Sequence, residues 1–150
     1  MGLAIIIILI TLALIFVVRF VLSRKPADIK EEYTQAQLAS NMINTLLRTT
    51  AKECSSSSFT ELFQDCADAY PDGTIDCDTG EKSCSYLESK IGDIFDNTLR
   101  KWRKDYYFKA VAGTNTLVSD GNVCPGAKTH KEFPIPSSAT TINIKLDICG

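Results

Sequence analysis

The stretch Leu3–Leu22, LAIIIILITLALIFVVRFVL, contains one charge, Arg19, and one other polar side chain, Thr11. As a helix rising about 1.5 Å per residue it extends roughly 30 Å, the thickness of a bilayer's hydrocarbon core. A secretory signal has a shorter apolar region, about 7 to 15 residues, closed by a small-residue cleavage site. Val21-Leu22-Ser23-Arg24-Lys25 is unlike such a site. The expectation is therefore a retained transmembrane stem over residues 1–25. The rest of the chain is read as a domain tethered to, or polymerised through, that stem.

Of the 150 residues, about 125 follow the stem, which is room for one small domain and no second core. The 16 basic and 18 acidic residues give a net charge of -2. No like-charge block occurs except an acidic loop, so a nucleic-acid surface has no support and no nucleic-acid partner is expected.

Six cysteines, Cys54, Cys66, Cys77, Cys84, Cys124 and Cys149, all lie beyond the stem. An even count in a small domain favours three disulfides formed outside the cytosol. Structural zinc would need short-spaced pairs, yet there is no Cys-x-x-Cys and His130 is the only imidazole. Six cysteines allow fifteen pairings, all open from spacing alone.

Topology pulls the other way. Arg19, Arg24, Lys25 and Lys30 cluster at and after the end of the apolar run, and the positive-inside rule would place the cysteine-bearing domain in the cytosol. Two resolutions stay open. The numbering starts at a mature terminus after loss of a short basic leader, or the charge bias is overridden here.

Pro26 is expected to kink the helix after the stem. Residues 26–53 read as an amphipathic continuation, with Ile29, Tyr33, Ala36, Ile43 and Leu47 at helical steps and Leu38, Met42 and Leu46 widening the stripe. Ser55–Ser58 reads as a loop. Ser58-Phe59-Thr60-Glu61 is a capping box opening a short helix with an apolar face of Phe59, Leu62, Phe63 and Cys66, ended by Tyr70-Pro71. Ser85-Tyr86-Leu87-Glu88 reads as a second box. It opens a helix whose stripe runs Leu87, Ile91, Ile94, Phe95, Leu99, Trp102 and Tyr106, with Phe95 and Trp102 expected in the core. Arg100, Lys101, Arg103 and Lys104 at its end complement the helix dipole.

Beyond Asp105 the period becomes two, and strands are predicted over 106–111, 115–119 and 141–148. In the last, Ile142, Ile144, Leu146 and Ile148 alternate with Asn143, Lys145 and Asp147, so one face is expected to be wet. The proline-bearing segment 123–139 reads as an irregular loop. The fold class is thus α+β: a long N-terminal apolar-to-amphipathic helix, two further helices and a small antiparallel sheet, with residues 54–150 as a disulfide-stapled extracellular domain.

A search for chemistry finds little. His130 lies in a loop-like setting and reads as exposed and non-functional. No nucleophile elbow, phosphate loop, dinucleotide fingerprint or zinc-protease motif occurs, and no cysteine is left over as a nucleophile. No catalytic, cofactor-binding or metal residue is assigned, and the chain is read as a non-enzyme without a cofactor. Asp65, Asp68, Asp72, Asp76, Asp78 and Glu81 make one acidic segment. Hard cations take such oxygens, but the EF-hand spacing is absent and a solvated loop is the plainer reading, leaving calcium open.

The layout of apolar stem, proline, amphipathic half-helix and small domain ending in strands resembles that of type IV pilins and pilin-like proteins, including archaeal filament subunits. Ile5 stands where that family commonly has a glutamate paired with a neighbour's terminal amine. The resemblance implies a disulfide-bounded C-terminal loop between Cys124 and Cys149. It also implies a structural subunit of an extracellular filament on the cell surface, anchored in the membrane before assembly and homopolymeric through its stem. Ala4, Ile5, Ile8, Leu12, Ala13, Phe16 and Phe20 are the stem residues expected to pack between copies. The alternative is a single-pass, membrane-anchored extracellular binding domain.

Overall fold

A run made mostly of leucine, isoleucine, valine, alanine and phenylalanine gives the helix α1 over Gly2–Ser23. The computed structural model describes residues 2–23, 27–125 and 128–149; the side chains of 2–5, 9, 21–23, 27–32 and 128–130 lie outside that description, as does the expected kink at Pro26. The chain divides into two units, Met1–Glu31 and Glu32–Gly150, each described by itself.

In the first unit, α1 is apolar all round and exposed all round: Ile8 is 58%, Leu12 49%, Phe16 71% and Phe20 66% exposed. Thr11 Oγ1 donates to the Ile8 carbonyl at 2.9 Å, so this hydroxyl is satisfied within the helix. Among the described residues, no helix is long and apolar enough to cross a membrane. Within α1 the longest run of described side chains is Ile10–Phe20, shorter than the roughly 20 residues that a span needs.

Helix α2 covers Ala27–Arg48. In the second unit its buried positions are Gln35, Ala39, Ile43 and Leu46, with Leu38, Met42 and Leu47 half-buried beside them. Tyr33, expected on that stripe, is exposed instead, because the buried face is centred on Ala39 and Ile43 rather than on the Tyr33 side. Thr49 closes the helix, its hydroxyl donating to the Thr45 carbonyl at 2.8 Å. Part of the expected serine loop is a strand, with β1 (Thr50–Ala51) pairing antiparallel to β2 (Ser57–Ser58) around Ser55 and Ser56, both at positive φ.

Helix α3, Phe59–Asp68, forms as its sequence dictates, with both halves of the Ser58–Glu61 capping box present and Phe59, Leu62, Phe63 and Cys66 buried. Helix α4, Ser83–Phe95, starts two residues before the expected box, which does not form. The acidic segment caps it instead: Ser83 N donates to the Ile75 carbonyl and Cys84 N to the Asp72 carbonyl, at 3.1 and 3.2 Å. Serine at position 85 is then already inside the first turn. Past Phe95 the helix loosens into a π-turn, Asp96–Arg100, and Arg103 at φ 55 ends it. The extra residue of a π-turn rotates the downstream chain, so Leu99 stays buried while Trp102 does not, and Tyr106 opens a strand.

Strands β3 (Tyr106–Ala112), β4 (Asn115–Gly121), β5 (Lys128–Pro136) and β6 (Thr141–Cys149) form one antiparallel sheet in the order β4-β3-β6-β5. Its inner face carries Phe108, Ala110, Ile142, Ile144, Leu146 and Ile148, all fully buried, against α3 and α4. Phe95 lies 5.1 and 5.2 Å from the rings of Tyr106 and Phe108. Two expectations change. The segment read as an irregular loop contains β5, tolerable despite Pro134 and Pro136 because β5 is an edge strand. Two residues apart, both prolines turn their missing N–H toward the same unpaired side. Asp147, expected on the wet face, is buried with its carboxylate 3.4 Å from Lys145 Nζ.

All six cysteines are paired: Cys54–Cys77, Cys66–Cys84 and Cys124–Cys149. The first ties the β1–β2 connection to the acidic segment, the second joins α3 to the start of α4, and the third ties the β4–β5 connection to the end of β6. Three disulfides point to an extracellular or otherwise oxidising environment.

Candidate interaction surface

Within the second unit, the C-terminal half of α2 and the end of α4 do not close on each other. Between them runs an almost wholly apolar groove of about 370 Å³, lined by Met42, Leu46, Ile94, Phe95 and Trp102 among others. Its rim is polar but short-armed, with Asn41, Thr45, Thr49 and Thr98. Thr98 spends its hydroxyl on the Ile94 carbonyl at 2.7 Å and so presents its methyl group. Trp102, 58% exposed, forms one wall. A large exposed aromatic over an apolar floor is the usual chemistry of a protein contact.

Cations surround that wall. Arg100 is held by Asp96 at 3.1 Å and stands 6.0 Å from the Tyr106 ring, whereas Lys101 and Arg103 have no carboxylate partner among the described residues. Their side chains reach solvent. Asp105 is the one acidic residue in the same sequence run.

The opposite end of α4 is acidic and built by one buried-edge carboxylate. Asp65 accepts from Thr74 N at 2.8 Å, Ile75 N at 3.0 Å, Ser83 Oγ at 2.6 Å and the Thr74 hydroxyl. Burial pushes its pKa up, but the bonds from Ile75, Ser83 and Thr74 together outweigh that and hold it below the ordinary value. Gly73, at φ +85, sits so close that a Cβ there would collide with the Ser83 hydroxyl. Asp68 is likewise held low, by Ser138 first and then by its neighbours in the β5–β6 turn. Glu53 is held low by the Tyr86 hydroxyl, which donates to it at 2.7 Å; the phenol is correspondingly pushed up, by burial first and then by that bond. Asp65 and Asp68 are therefore structural.

Asp72, Asp76 and Asp78 face solvent, as do Tyr70 and Pro71. Among the described residues the charged partner of Asp76 is Lys82, 3.6 Å away with both side chains exposed, a geometry worth little in water. Among the described residues, no group of three or more histidine, cysteine or acidic side chains is placed to hold a metal ion.

Of the stem residues expected to pack between copies, Ile8, Leu12, Ala13, Phe16 and Phe20 are exposed on α1, and Ala4 and Ile5 lie in its helical backbone with side chains outside the described set. The backbone of His130 is in β5, not in a loop. The sequence reading put Trp102 in the core, used Tyr70 only as a helix stop and did not foresee the groove; Trp102 is instead exposed. The signal was present in Arg100-Lys101-Trp102-Arg103-Lys104, where one aromatic among four cations is poor core chemistry. Comparison with family models, curated proteins and solved structures returned no match.

Proposed function

We propose that the protein is a structural subunit of an extracellular filament, its stem resting in the membrane before assembly and packing against the stems of other copies afterwards. One observation carries the reading: the described large apolar side chains of α1 between Ile6 and Phe20 are exposed on every face, while the second unit keeps a core of its own. A helix that is apolar all round must be covered by something else, either lipid or its own kind. The disulfides agree with an outside location.

The test separates a packed core from a mere anchor. Helices that pack closely rely on small residues at the contact, whereas an anchor requires only hydrophobicity. Ala13→Trp should leave the protein in the membrane fraction and abolish filaments seen by electron microscopy of shed surface material. Wild-type cells with the protein only as dispersed membrane monomers would remove the filament reading and leave a membrane-anchored binding domain.

A further inference from the structure

A hollow of about 280 Å³ lies where the turn after α3, the first turns of α4 and strand β4 come together. Tyr70, Ser85, Glu88, Thr116 and Ser119 bring side-chain oxygens to its lining, which is mostly polar. Three elements hold these groups. Ser85 and Glu88 are three apart on α4 and so share a face, and the Cys66–Cys84 disulfide pins that end of the helix. The Tyr70-Pro71 turn is closed by the Gly73 N–H, which donates to the Ala69 carbonyl at 2.9 Å, and by the Cys84 N–H on the Asp72 carbonyl. Thr116 and Ser119 belong to β4, an edge strand, and in a regular strand residues three apart point to opposite faces. Here the register slips: Thr116 pairs with Val111 and Val118 with Ala110, leaving Leu117 as an extra residue. That bulge returns Ser119 to the side of Thr116, and both line the hollow.

The polar groups of this hollow are unspent. Elsewhere in the domain hydroxyls have partners: Tyr86 donates to Glu53, Tyr106 to Asp120, Ser83 to Asp65, and Ser89, one turn along α4 from Ser85, to the Tyr86 carbonyl. Among the described residues, the side chains of Tyr70, Ser85, Glu88, Thr116 and Ser119 make no hydrogen bond or ion pair. The Tyr70 ring is 46% exposed. Glu88 is the one charged residue of the lining, which turns anions away; a lone carboxylate is too few for a hard cation, and an apolar ligand would leave the hydroxyls unpaired. Hydroxyls that donate and accept, a carboxylate that only accepts and a flat aromatic face suit a ring with hydroxyls on its edge and C–H groups on its face.

We propose that this hollow binds a neutral sugar ring, with Tyr70 under its C–H face, Glu88 accepting from ring hydroxyls, and Ser85, Thr116 and Ser119 bonding the others. Its volume is at the small end of ligand sites, which run from about 300 to 1,000 Å³, so it takes a single ring rather than a length of glycan. An alkylammonium ion would satisfy Glu88 and the Tyr70 ring but would leave the remaining hydroxyls idle. The inference goes beyond the filament reading and stands without it.

The test uses the full chain in a polyoxyethylene detergent, which carries no sugar headgroup, with the methyl glycosides of glucose, galactose, mannose and N-acetylglucosamine as probes. At least one should bind saturably by saturation-transfer NMR, with the largest transfer to the protons of its C–H face. The affinity should fall about tenfold or more in Tyr70→Ala and in Glu88→Ala, the loss expected from removing one good contact. Tyr70→Phe keeps the ring and Glu88→Gln keeps an acceptor, so both should retain most of the binding. Trp102→Ala, which removes an exposed aromatic from the apolar groove, should leave it unchanged. Saturable binding by none of the four glycosides would overturn the proposal, as would undiminished affinity in Tyr70→Ala and Glu88→Ala. Binding of n-butylammonium in place of the sugars, abolished by Glu88→Gln, would assign the hollow to an organic cation and overturn it too.

Discussion

Ile8 and Ile144 are the same side chain with opposite fates: the first is 58% exposed on α1, the second fully buried in β6. What separates them is period. Around Ile144 apolar residues alternate with polar ones, so the strand has an inside, and α3 and α4 supply the cover from the same chain. Around Ile8 the neighbours are apolar apart from Thr11, no face is preferred, and the described residues of that unit leave it exposed. A patterned apolar segment builds a core, whereas an unpatterned one asks for cover from outside.

Truncation gives the largest expected effect and tests that contrast directly. Ile144→Ala should destabilise the domain by about 2–5 kcal/mol, through lost transfer energy plus the cavity left among Phe108, Leu146 and the helices. Ile8→Ala should leave the thermal midpoint of the domain where it is. Calorimetry of both variants decides it, and a comparable drop for Ile8→Ala would mean that the domain depends on the stem for its own stability.

The domain itself is not uniform. Its sheet side is held by apolar packing; the lobe between Glu53 and Cys84 has fewer buried apolar side chains and two disulfides. Replacing Cys66 and Cys84 together by serine should lower stability by about 3 kcal/mol, the chain-entropy value for a loop of this size. The loss should be concentrated in the lobe, appearing as faster hydrogen exchange over 65–84 with β3 and β6 still protected. Uniform loss of protection would show that lobe and sheet unfold as one.

The same division governs how much of the fold the sequence could reveal. Where local signals agreed with the fold they were legible: the Ser58–Glu61 box and the face of α3 are as the sequence predicts, and so is the alternation Ile142–Ile144–Leu146–Ile148. They failed where a distant partner decided. Pro134 and Pro136 read as breakers until β5 is seen to be an edge. Ser85 looked like a cap until the carbonyls of Asp72 and Ile75 took that place. Trp102 continued a helical stripe on paper, but the π-turn moved it off the core and onto the groove, and a single inserted residue per turn leaves no compositional trace. Asp147 looked solvent-facing because alternation says which face a residue lies on and not whether that face is covered.

The smallest expected effect is the most specific to the lobe. Asp65 is held below its ordinary 3.8 by bonds that only its charged form fully satisfies, so its contribution is complete above that value and is lost as the pH falls through the lowered one. Glu53, Glu61 and Asp68 are lowered as well, and an acid titration of the wild type alone would blend all four. A difference isolates one. Asp65→Asn keeps the shape and can leave its oxygen on the Thr74 and Ile75 N–H groups, but it turns an NH2 toward the Thr74 hydroxyl and removes the charge that strengthens all these bonds, with a loss of about 1–3 kcal/mol near neutrality. Below the lowered pKa the wild-type carboxyl is itself protonated and presents the same mixture of donor and acceptor, so the two proteins should converge. Denaturant unfolding at a series of pH values from about 6 down to about 2 measures the gap between them. A gap that narrows with acid places the lobe's stability on the Asp65 charge, whereas one that stays constant would mean that the disulfides and the shape of the loop hold the lobe and the carboxylate charge adds nothing.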